Sequence, residues 1–120
     1  MPRVPCDAST IGADLYIRSL NETDEQEGYF RDPYNGWDVL WQFGLSWWND
    51  VLPLLDDQSS LSVEKVSSLL AMLDEHQSEF DDNMAERDEK DRGYFQQQAR
   101  ELRGFLQRAI ELNEPVDCSL

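Results

Sequence analysis

All four tryptophans of the chain fall in one stretch, Asn35 to Leu52, which contains no Lys or Arg. Any fold must accommodate this stretch first. At helical spacing, positions 37, 40, 41, 44, 45, 48, 51 and 52 form one face, apolar except for Gly44. Asp38, Gln42, Ser46, Asn49 and Asp50 fall off that face. Asn35 suits an N-cap, Asp38 suits the positive end of the helix dipole, and Pro53 ends the helix. At period two, positions 37, 39, 41, 43, 45 and 47 are also apolar, with Asn35-Gly36 as a hairpin turn. The helix is the preferred reading. The strand would be about twice the usual length, and Pro33 sits badly in the partner it would need. The helix turns Trp48 inward and sets Trp47 beside Phe43 on a second face. A helix apolar on two faces belongs at the centre of a domain.

The C-terminal half carries two further helical patterns. Ser62 caps the first, with Leu61 and Val66 placed as a hydrophobic staple. Val63, Val66, Leu70, Leu73, Gln77, Phe80 and Met84 then recur at three-four spacing, widened by Leu69. This predicts an amphipathic helix from Ser62 to about Arg87 with an acidic outer face. A charged link leads to a second helix, about Asp91 to Leu112, stopped by Glu114-Pro115. Val116 to Leu120 reads as a tail. Two long helices joined by a short link pack as an antiparallel hairpin. The expected fold class is therefore all-α. It is a three- to four-helix bundle around a central Trp-rich helix, with a long C-terminal helical hairpin, in one domain spanning residues 1–120. Ser9 to Leu20 reads as a further short helix, although Ile11, Ala13, Leu15 and Ile17 also alternate as a strand would.

Between that segment and the tryptophans lies an acidic connector, Asn21 to Gly28, then Tyr29-Phe30-Arg31-Asp32-Pro33-Tyr34-Asn35-Gly36. Its turn residues predict a loop, and three aromatics are many for a loop. They either pin it to the core or form a contact surface. Aromatics beside Arg, Asn and Asp have the composition of interaction hot spots. The candidate binding residues are Tyr29, Phe30, Arg31, Asp32, Tyr34 and Asn35 from this loop, with Trp47, Asn49 and Asp50 from the end of the central segment.

The chain has 25 acidic and 10 basic residues, a formal charge of −15. Such a field repels nucleic acid and anionic membranes and attracts basic partners, though it also serves plain solubility. Met1 to Pro5 is followed by no apolar run, so no secretory leader is expected, and no stretch is apolar enough to span a bilayer. A cytoplasmic protein with two free thiols, Cys6 and Cys118, is the expectation. Cys6 and Cys118 lie near opposite ends of the chain, where a bridge is geometrically open.

Catalytic signatures are missing from the sequence. It has no Gly-rich phosphate loop, no nucleophile elbow, no zincin motif and no calcium loop. The single histidine, His76, shares a helix face with Glu79, but the order is reversed from the di-metal bundle motif and the acids face outward. No cofactor, no metal and no enzymatic activity are expected. A non-enzymatic protein that binds a basic protein partner fits the composition, and an inhibitor or immunity-type protein suits the size and charge. The alternative is a small-molecule pocket lined by Trp37, Trp41, Trp48, Tyr34 and Arg31, with Arg31 holding an anionic group.

Overall fold

The computed structural model describes residues 12–21, 28–34 and 36–120. In order come β1 (Gly12–Ile17), α1 (Arg18–Asn21), β2 (Tyr29–Pro33) and α2 (Val39–Gln42). A π-helical turn (Trp47–Val51) then runs into a 3-10 turn (Leu52–Leu54). After it come β3 (Ser60–Leu61), α3 (Val63–Glu75), α4 (Gln77–Ala85), α5 (Glu89–Leu112) and β4 (Val116–Ser119). The four strands make one antiparallel sheet in the order β2-β1-β4-β3. The sheet overturns the all-α bundle expected from the sequence. The fold mixes α and β.

The sheet exists because alternation, and not helical spacing, governs the N-terminal segment. Ala13, Leu15 and Ile17 of β1 are all buried, and the residues between them are not. Leu15 lies opposite Phe30 on one side and Cys118 on the other. Ile17 lies opposite Val116, which in turn faces Leu61. These side chains form one apolar face, and α5 packs on it: the rings of Phe30 and Phe105 are 6.1 Å apart. Of the helix expected over 9–20, residues 12–17 form a strand and 18–20 belong to α1, while 9–11 lie outside the described residues.

Two other expectations change for related reasons. Tyr29 to Pro33 is not loop but the edge strand β2. Pro33 is the last residue of an edge strand, where a missing N–H costs little. It pairs with Gly12, and a Cβ there would come within 2.7 Å of the Asp32 carbonyl oxygen. The C-terminal segment read as a tail provides β4, which lies between β1 and β3. Its polar side is tied down by Arg18, whose Nε and Nη2 donate to Asp117 at 3.1 and 2.7 Å. These hydrogen bonds hold the Asp117 carboxyl below its ordinary value.

The helical reading holds better in the C-terminal half. Ser62 caps α3 by accepting from the Lys65 N–H, and both staple residues, Leu61 and Val66, are buried. The single helix expected to run to about Arg87 is interrupted at His76, which separates α3 from α4. Asp88 caps α5, and Asn113 ends it in the left-handed conformation, φ 56°.

The tryptophan segment departs furthest from expectation. No single helix spans 37–52. α2 covers one turn, and Gly44 then adopts φ 77°, where a Cβ would collide with the Glu79 carboxylate. The chain restarts at Ser46, whose Oγ accepts from the N–H groups of Trp48 and Asn49. Asp50 closes the cap by accepting from the Ser46 N–H at 2.8 Å. This break reverses the packing. Val39, Leu40, Phe43, Leu45, Trp47 and Val51 are buried, whereas Trp37, Trp41 and Trp48 lie about half exposed. The ring that a continuous helix puts on a second face, Trp47, is the one that fills the core.

Candidate functional site

The tryptophan segment is fastened to the rest of the molecule by two buried polar side chains. Asp32 projects from β2 onto the apolar face of the sheet, opposite Ala13, and has no exposed surface. Its carboxylate accepts from the Val39 N–H at 2.7 Å, the Leu40 N–H at 3.3 Å and the Trp47 indole Nε1–H at 2.7 Å. A residue of β2 therefore caps α2 from outside, satisfying amides that the local residue Asp38 leaves free. Burial pushes the Asp32 carboxyl up to about 7, against the pull of the three N–H donors and with a further push from Asp38.

At the other end, Gln42 is almost fully buried and joins α2 to the helical layer. Its Nε2 donates to the Gly36 and Asp38 carbonyls, its Oε1 accepts from Arg87 at 2.7 Å, and its own carbonyl accepts from Asn83 at 2.8 Å. Phe43 next to it stacks on Phe80, with centroids 4.4 Å apart. Fixed at both ends, the segment turns three of its indoles outward.

Those exposed rings are the most unusual surface feature. Trp37, Trp41 and Trp48 are 47%, 56% and 53% exposed, and Tyr94 on the first turns of α5 is 39% exposed. Trp37 stacks on Phe95 at 5.7 Å and meets Tyr94 edge-on at 5.9 Å. The Arg87 guanidinium lies over the Phe95 ring, 4.9 Å from its centre. Exposed clusters of large aromatics mark interaction sites in many proteins.

No protein-family model matches this chain, and neither curated proteins nor solved structures give a match. Its chemistry rests on its own side chains.

The residues singled out from sequence do not meet on one surface. Phe30, Asp32 and Trp47 are buried, and of these Asp32 and Trp47 are bonded to each other. Arg31 and Tyr29 point to the opposite, polar face of the sheet, where both donate to Asp14, at 2.7 and 2.6 Å. Tyr34 is partly buried against the core. Burial pushes its hydroxyl up while the neighbouring Trp48 indole pulls it down, though the oxygen has no well-aligned partner among the described residues. Asn49 is exposed, and Asp50 is engaged in the Ser46 cap. Asn35 lies outside the described residues. Trp37, Trp41 and Trp48 are the surface aromatics that helical periodicity assigned to the interior. The signal that could have exposed them is Gly44, since a left-handed glycine breaks the rod that would bury them.

Among the described residues, no three His, Cys, Asp or Glu side chains come together in a way that could hold a metal ion. His76 Nδ1 lies 3.4 Å from Glu79 Oε1 on the surface. Cys118 carries a buried thiol, pushed up by that burial to about 12. Cys6 lies outside the described residues. Asp32 has the protonation range of an acid–base group, but it is sealed from solvent and its oxygens are taken by internal donors. No helix among the described residues is long and apolar enough to cross a membrane.

Proposed function

We propose that this chain is a non-enzymatic, cytoplasmic binding protein that masks a basic protein partner, as an inhibitor or immunity-type protein does. The observation that carries this reading is the set of solvent-facing indoles on a chain of net charge −15. Aromatic rings supply contact area at low entropic cost, and Trp and Tyr are the residues on which interface energies concentrate. An acidic field steers a cationic partner to such a surface and disfavours nucleic acid.

The small-molecule alternative has less support. A pocket among the helices needs Trp37, Trp41 and Trp48 to enclose a space, and all three face outward. A shallow groove of about 400 Å³ lies instead between α4 and α5, lined by Gln77, Phe80, Gln96, Arg100 and Arg103 among others, and by none of those tryptophans.

Salt dependence tests the proposal. A cationic protein of similar size, titrated by calorimetry, should bind at low ionic strength and weaken about tenfold or more at physiological salt. Binding unaffected by salt, or no binding at either condition, would remove charge as the basis of recognition.

A further inference from the structure

Two aromatic stacks in this molecule follow one pattern. Phe43 stacks on Phe80, and the Arg103 guanidinium lies 5.8 Å from the centre of the Phe43 ring. Phe95 stacks on Trp37, and the Arg87 guanidinium lies 4.9 Å from the centre of the Phe95 ring. In the first stack both rings are buried. In the second, Trp37 is about half exposed, and Tyr94 stands edge-on beside it. Trp37 thus keeps about half its surface open to solvent while resting on the buried Phe95 ring.

We infer that Trp37 and Tyr94 form a seat for an arginine side chain of the basic partner. This deepens the proposed function and rests on it. An indole is the strongest of the aromatic faces for a cation, and a guanidinium can both stack and pair with its charge. The surroundings fit. Residues 86–91 ahead of Tyr94 contain Glu86, Asp88, Glu89 and Asp91 against Arg87 and Lys90. Arg87 is engaged within the molecule, lying over the Phe95 ring and donating to Oε1 of the buried Gln42 at 2.7 Å. A lysine would feel the same field but gains less from the ring, because its ammonium is compact and strongly hydrated.

The test compares a nona-arginine with a nona-lysine peptide, each titrated into the full chain at low salt. Indole N–H resonances are followed by NMR and affinities by calorimetry. The arginine peptide should bind about three- to fivefold more tightly, with the largest shifts at Trp37. Trp37→Ala should abolish that preference while leaving the charge-driven binding of both peptides. Trp37→Leu keeps apolar packing on Phe95, so it guards against loss of local structure, and it should abolish the preference as well. Equal binding of the two peptides, or a preference that survives both variants, overturns the arginine seat while the basic-partner reading stands. Failure of both peptides to bind overturns both.

Discussion

Replacing Asp32 by asparagine isolates the free energy of holding a carboxylate inside the sheet–segment junction. The folded carboxyl titrates near 7 and an unfolded one near 3.8. Below about pH 3.8 both states carry the proton, and the folded chain pays nothing for a buried charge. Between the two values only the unfolded chain ionises, so the folded state loses stability as pH rises. Above about 7 both are ionised and the loss is complete. Three pH units at about 1.4 kcal/mol each give roughly 4 kcal/mol. Asp32→Asn stays neutral throughout. Its amide nitrogen must face one of the donors Val39 N–H, Leu40 N–H or Trp47 Nε1–H, which adds a cost that does not vary with pH. The stability of Asp32→Asn minus that of wild type should therefore rise by roughly 4 kcal/mol between pH 4 and 7.5. Urea unfolding followed by far-ultraviolet circular dichroism at each pH measures it. Repulsion among the other acids is common to both proteins and cancels in the difference. A difference that stays flat refutes the reasoning. One that falls with pH would mean that the three N–H donors outweigh desolvation, with the folded carboxyl below 3.8.

Trp47→Phe shrinks a buried indole to a single ring and removes its N–H donor to Asp32, and should cost about 3 kcal/mol. Trp41→Ala, at a ring 56% exposed, should cost less than about 1 kcal/mol in the same urea assay. Equal costs would return Trp41 to the core. Gly12→Ala places a Cβ against backbone that cannot swing aside, and should destabilise by about 2 kcal/mol, read as a lowered melting temperature. An unchanged melting temperature would show that β1 and β2 separate more easily than that 2.7 Å approach implies.

Local chemistry made the C-terminal helices legible. The Ser62 cap, the Leu61–Val66 staple and the Pro115 stop each act within a few residues. What failed depended on partners distant in sequence. Val116 to Ser119 offers only four residues of alternation, and only pairing with Leu15 and Ile17 makes it a strand. Pro33 looked like a turn because its place at a sheet edge is invisible without the sheet. The tryptophan segment satisfied both periods, so periodicity could not decide between them. The tether from Asp32 and the turn at Gly44 settled it, and both are tertiary facts. Asp32 and Trp47, named from the sequence as candidate binding residues, spend their polarity on each other inside the molecule. Three of the outward rings were read as core because a continuous helix would have buried them.

The position of β4 has a consequence for any shortened form of the protein. Among the described residues β4 is the one strand paired with β3, and β1 has β4 on the side away from β2. Cleavage just ahead of Val116 would leave β1 with a raw edge of unanswered amides and carbonyls and would take from Ser60 and Leu61 their strand partners. Edges of that kind recruit other chains, so nicking near Pro115 should promote self-association.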